Sequence, residues 1–135
     1  MKKVLRGEIY YAELDPVIGS EQGGTRPVLI IQSNRGTRNR PTSIVAPLTK
    51  LINKKYDLDT HVNLRPRHYL NYHSVVLLEQ MRAISKDRLE QYIGKISKRE
   101  QRKIDKAILN TFGLINKENK IYENKNIQCK SENDL

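Results

Sequence analysis

Arg26 is the residue in this chain best placed to handle a phosphate. Before it runs Gly19-Ser20-Glu21-Gln22-Gly23-Gly24-Thr25, a loop with three glycines and polar residues between them. After it, Pro27 leads into Val28-Leu29-Ile30-Ile31, a continuous aliphatic run that predicts a buried strand. Proline biases the preceding residue toward an extended conformation, so Arg26 should enter the strand mouth. A guanidinium fixed there, under a glycine loop, suits two-point recognition of a phosphate. The same spacing also fits an arginine that covers a core edge and pairs with Glu21.

Other side chains could join such chemistry. Arginine, with a pKa above ~12, is a poor base, whereas Glu21 can take a proton or orient Arg26. His61, His68 and His73 raise a two-histidine ribonuclease reading. His68 and His73 lie in a polar stretch with Tyr69 and Tyr72, where a surface histidine is the default. His61 is the best of the three, since it starts a strand after a loop that carries Lys50, Lys54 and Lys55. No spacing among these residues suits a paired metal site. Gln80 can read a base edge with its amide, or be a sheet-end glutamine that bonds backbone. Arg82, two residues on, shares its face if the strand continues.

The elements that must position these residues are short. Strands are expected at Glu8 to Leu14, Val28 to Gln32, Ser43 to Leu48, His61 to Leu64 and Ser74 to Leu78, with Met81 to Ile84 extending or following the last and Gln91 to Ile96 after it. Pro47 cannot donate to a ladder and so predicts an edge or strand end, leaving Thr49 at a strand terminus. The stretch from Ser33 to Thr42 has no apolar residue and three arginines, and reads as an exposed basic loop. Ser85 caps a helical turn through Leu89. Ser97 and Glu100 form a capping box, opening a helix with Ile104, Ala107, Ile108 and Phe112 on one stripe and Gly113 as its stop. The pattern predicts a mainly β, α+β fold: a small twisted antiparallel sheet or barrel with a C-terminal helix against it.

At 135 residues the chain is one domain with a modest core, 37% hydrophobic and 6% aromatic. It is expected to divide into a folded part, residues 1–115, and a polar tail, residues 116–135. Twenty-five Lys and Arg against fifteen Asp and Glu give a net charge of +10. The tail holds four lysines and four acids, so the excess lies in the folded part and favours a polyanion partner. The lone Cys129 can make neither an internal disulfide nor, alone, a zinc site. MKKVLRGE has no apolar leader core and no run approaches a membrane span, so a cytoplasmic protein with no membrane partner is expected.

The segments RGEIYYAELDPVIGSEQGGTRPVLIIQSN, APLT, THV and SVVLLEQMRAISKDRL together resemble the MazF/PemK family of toxin endoribonucleases, from about Arg6 to Gly113. The resemblance implies an SH3-like β-barrel core with helices, usually a homodimer. It implies that Arg26 of the GG-x-RP motif and Thr49, which closes the next strand, form the catalytic pair. Ribosome-independent, sequence-specific cleavage of single-stranded RNA follows from it, by attack of the 2′-OH and with no metal or other cofactor. Beside the catalytic set of Arg26, Thr49 and Glu21, the positions expected to hold substrate are Ser20, Gln22, Lys50, His61, Gln80 and Arg82. An acidic cognate antitoxin should inhibit the protein, with DNA contacted only through the antitoxin complex. Where the family pattern often has Asp before SVVLLEQ, this chain has His73. Two other functions fit the same fold: a non-catalytic toxin that poisons DNA gyrase by binding it, and a plain RNA-binding barrel. The scarcity of aromatics, one Phe and seven Tyr, counts against a stacking platform.

Overall fold

The computed structural model describes residues 3–51 and 58–115. Lys54, Lys55, Cys129 and the tail of residues 116–135 lie outside the described residues. Seven strands form one antiparallel sheet: β1 (Glu8–Glu13), β2 (Thr25–Ile30), β3 (Thr42–Lys50), β4 (His61–Leu64), β5 (Ser74–Leu77), β6 (Arg82–Ser85) and β7 (Leu89–Lys95). The order is β4-β5-β3-β2-β1-β7, with β6 also paired to β3. Helix α2 (Lys98–Thr111) follows the last strand, and a single turn, α1 (Asn34–Thr37), sits between β2 and β3. The pairings among the described residues leave β4 and β7 as the two ends, so the structure is an open twisted sheet rather than the closed barrel that was one of the two expected forms.

Each face of the sheet has its own core. Ile9, Leu29, Ala46, Leu48 and Val76 pack with Ile104 and Ala107 of α2. The alternate residues Tyr10, Ala12, Val28, Ile30 and Val45 pack with Val4, Leu14, Ile84 and Leu89. This is the period-two alternation of a sheet covered on both faces. Gly94, a weak residue for a strand, lies opposite Ile9. A Cβ there would meet the Tyr69 ring at 2.6 Å, so only glycine lets the ring lie against β7.

Three local expectations differ from the structure. Pro47 lies inside β3, opposite Val28 of β2. On its other side β3 pairs with β6 as far as Val45 and with β5 from Leu48 onward. Pro47 thus stands in the gap between those partners, where a missing N–H costs neither ladder anything, and β3 runs on to Lys50. The stretch from Ser33 to Thr42 is not loop throughout: the Ser33 hydroxyl accepts from Gly36 N at 3.0 Å and caps α1. Thr37 in that turn is buried against Ser43, the two hydroxyls sharing a hydrogen bond. Phe112, placed on the apolar stripe of α2, is 62% exposed; the stripe ends with Ile108.

The expected capping box is present. Ser97 Oγ accepts from Glu100 N at 3.1 Å, and Glu100 Oε1 accepts from Ser97 N at 2.9 Å. Glu100 also takes both Nη groups of Arg67, tying the β4–β5 connection to the start of α2. These bonds from Arg67, ahead of any other cause, hold the Glu100 carboxyl down to about 2.

Candidate functional site

The glycine loop is held shut by its own polar atoms. Asp15 Oδ1 accepts from Gly24 N at 3.0 Å, and Leu14 N donates to Gly24 O at 3.0 Å. The two adjacent glycines serve different needs. Gly24 has φ +74°, a left-handed conformation that favours glycine. Gly23 has no room for a Cβ, which would meet Asp15 Oδ1 at 2.5 Å and Val17 Cγ2 at 2.7 Å.

That closed loop presents a carbonyl to Arg26. Arg26 Nε donates to Gly23 O at 2.9 Å, and Nη1 reaches Leu48 O at 3.5 Å. Arg26 does not pair with Glu21: the Glu21 carboxylate accepts instead from Ile18 N at 2.7 Å and closes a turn within the loop. The guanidinium is therefore oriented by two backbone carbonyls, one from the loop and one from β3. Among the described residues its Nη2 has no hydrogen-bond partner.

Leu48 precedes Thr49, so the second carbonyl ties Arg26 to the end of β3. Arg26 lies opposite Ala12, and Thr49 opposite Val75. Both alternate with the residues that face α2, so they stand on one face of the sheet. Thr49 is half-buried, and its hydroxyl has no hydrogen-bond partner among the described residues. Lys50 is exposed, its Nζ 5.4 Å from the centre of the Tyr72 ring. Burial first, then the neighbouring Tyr11, pushes the Tyr72 phenol up, with Arg26 opposing them. Tyr72 and Tyr11 thus belong to the surroundings of Arg26. Tyr72 sits in an irregular polar connection, and no sequence pattern marks it.

The other expected residues divide. Glu21, Gln22, Gln80 and Arg82 line one cleft of ≈ 300 Å³ beside Pro47. Ser20 is exposed in the adjoining loop. Gln80 has no hydrogen-bond partner there among the described residues. Arg82 is committed to structure, since its Nη1 donates to Leu14 O at 3.0 Å and holds the base of the glycine loop. His61 does not join that cleft: its side chain is 5% exposed, its Nε2 meets Glu79 Oε2 at 2.8 Å, and it lines a separate cleft with Asn63 and Lys103. Position at the start of a strand does not reveal that the ring turns inward to a carboxylate from the β5–β6 connection. A larger cleft of ≈ 470 Å³, lined by Lys3, Asn34, Arg38 and Lys86 among others, holds none of the expected residues.

An open antiparallel sheet holds the Arg26 guanidinium by two backbone carbonyls, the second belonging to the residue before Thr49, and a guanidinium so oriented can bind and polarise an oxyanion. A family model for the PemK-like, MazF-like toxin of type II toxin–antitoxin systems matches residues 5–112, and the chain belongs to that family. Endoribonuclease EndoA of Bacillus subtilis strain 168 is 46% identical over 113 residues, which are 83% of this chain and 97% of that protein. A mycobacterial endoribonuclease solved in complex with its cognate antitoxin matches with TM-score 0.67 at 25% identity, over 82% of this chain and 96% of the other. Mycobacterium tuberculosis toxin MazF-mt6 matches with TM-score 0.65 at 27% identity, over 78% and 96%. Among the described residues no helix is long and apolar enough to cross a membrane.

Proposed function

We propose that this chain is an RNA-cleaving toxin, a ribosome-independent and sequence-specific endoribonuclease that cuts single-stranded RNA. The observation that carries the reading is the orientation of Arg26 by Gly23 O and by Leu48 O, the carbonyl of the residue just before Thr49. The 46% identity to a protein named an endoribonuclease supports it.

The reaction uses the substrate's own nucleophile. The 2′-oxygen attacks the adjacent phosphorus and loses its proton, and the bond from phosphorus to the 5′-oxygen breaks as that oxygen gains one. Negative charge builds on the non-bridging oxygens. Arg26, already held by two carbonyls, meets that charge with its remaining N–H groups. Preorganised donors of this kind contribute ~3–4 kcal/mol each in comparable sites. Thr49 adds a neutral donor. Glu21, one oxygen of which is held by Ile18 N, is the proton acceptor. Tyr72, whose phenol is pushed up chiefly by burial, is a second neutral donor near Arg26. Gln22 and Gln80 read base edges from the cleft they share, Ser20 and Lys50 contact the backbone, and Arg82 keeps the cleft in shape.

The toxin domain comprises residues 1–115, with residues 116–135 a polar extension. The protein acts as a cytoplasmic homodimer and is inhibited by an acidic cognate antitoxin that covers the RNA groove. Incubating purified protein with long RNA in EDTA and mapping the ends tests the reading. Discrete cuts with 2′,3′-cyclic or 3′-phosphate and 5′-hydroxyl ends are expected. Intact RNA with tight binding would favour a plain RNA-binding protein, and intact RNA with gyrase inhibition a non-catalytic toxin.

A further inference from the structure

We propose that the groove between α2 and the edge strand β4 is a second RNA-binding surface, a track for the phosphate backbone of the substrate's flank. It rests on the proposed function only for the identity of the polymer. Two adjoining clefts of ≈ 370 and ≈ 340 Å³ make the groove and share Asn63 and Lys103. Arg99, Lys103 and Lys106 line it from the helix and Arg65 from the chain just after β4. All four are exposed, and none has a carboxylate within 4.0 Å among the described residues.

The spacing is regular. Positions 99, 103 and 106 follow one another by four and three residues, a single stripe of a helix whose neighbours stand ~5–6 Å apart. Asn63 and Arg65 alternate along an extended segment and face the same groove. Of the acids lining the clefts, Glu100 is consumed by Arg67, and Asp59 is the other. The Arg67–Glu100 pair also fixes the helix start against the β4–β5 connection, so the track is preformed. Helix α2 covers the face with which Arg26 and Thr49 alternate, which makes this surface distinct from the proposed catalytic one. A row of unpaired cations with adjacent amides, and no apolar lining beyond Val62 and Ala107, fits a sugar–phosphate chain better than a folded protein face.

The test compares the full chain with the variant R99Q/K103Q/K106Q, which keeps good helix formers at exposed positions. The probes are 2′-fluoro RNAs, which cannot be cut, so binding is read whether or not the protein is a nuclease. One is about 40 nucleotides long, well beyond a single site of ~4–16, and the other about eight. For the long RNA, affinity should fall severalfold or more, and the slope of log K against log salt should drop by about 2, as three neutralised phosphate contacts require. The short RNA should bind as before. Unchanged slope and affinity for the long RNA would overturn the proposal. So would an equal loss for both RNAs, or a melting temperature showing that the variant is unfolded while Lys103→Gln alone, folded, leaves the slope intact. A loss confined to an acidic peptide would assign the groove to a protein partner instead.

Discussion

Arg26 carries the heaviest demand of any single residue. Arg26→Ala removes a half-buried polar side chain that fills no core volume and whose partners are the carbonyls of half-buried Gly23 and buried Leu48. The fold should survive, with a melting temperature near that of the parent, while the cleavage rate falls by orders of magnitude, each ~1.4 kcal/mol being tenfold. Arg26→Lys should recover little, because an ammonium cannot bond two carbonyls and a phosphate in one plane. Thr49→Ala, which deletes one neutral donor, should cost less than Arg26→Ala. Glu21→Gln keeps the shape of the turn closed on Ile18 N. As proton acceptor Glu21 should be worth ~10²–10⁴ in rate, so kcat near the parent value in single-turnover assays would remove it from that role.

Helix α2 is docked at its N-terminus by chemistry that can be titrated. The Glu100 carboxyl lies at about 2 rather than 4.5, chiefly through its bonds from Arg67. A carboxyl depressed in the folded state contributes stability that is complete above its unfolded value. That stability is lost as pH falls from about 4.5 toward 2. Melting temperature should therefore drop through this acid window, and Glu100→Gln should flatten that part of the curve while lowering stability at neutral pH by roughly 2–3 kcal/mol. An unchanged acid limb in Glu100→Gln would show that other carboxylates govern it. Ser97→Ala should cost ~1 kcal/mol by loss of the cap.

Much at this scale was legible because local chemistry dictates it. Short apolar runs bounded by polar, glycine- or proline-bearing stretches marked the strands, and Ser97 with Glu100 marked the helix start. What escaped the sequence is set by tertiary placement. Pro47 sits mid-strand because β3 changes partners there. The turn at Asn34–Thr37 exists because Thr37 finds a buried partner in Ser43. Within the site, Arg26 was legible from the loop and Pro27, but its carbonyl partners were not, since Leu48 lies far along the chain. Nor was the burial of His61 against Glu79.

At the scale of the whole molecule, charge and assembly follow from the same surface. The +10 charge should attract an acidic antitoxin segment into the RNA groove. Its affinity should weaken as salt shortens the screening length below ~8 Å, and simultaneous binding of antitoxin and uncleavable RNA would contradict a shared groove. A homodimer burying ~1,200 Å² or more in total should sediment as a single species at micromolar concentration; a monomer at every concentration would exclude it. Deleting residues 116–135, which carry no net charge, should leave folding and cleavage largely intact. A large fall in melting temperature would show that the extension packs on the sheet.

In the proposed mechanism Arg26 and Thr49 act on a phosphate attacked by its neighbouring 2′-OH. Replacing the single ribose on the 5′ side of the mapped cut with deoxyribose tests it most directly. This substrate should bind nearly as before and escape cleavage at that position, while the all-ribose control is cut. Cleavage of the deoxy-substituted substrate at the normal rate would contradict the mechanism and the roles of both residues.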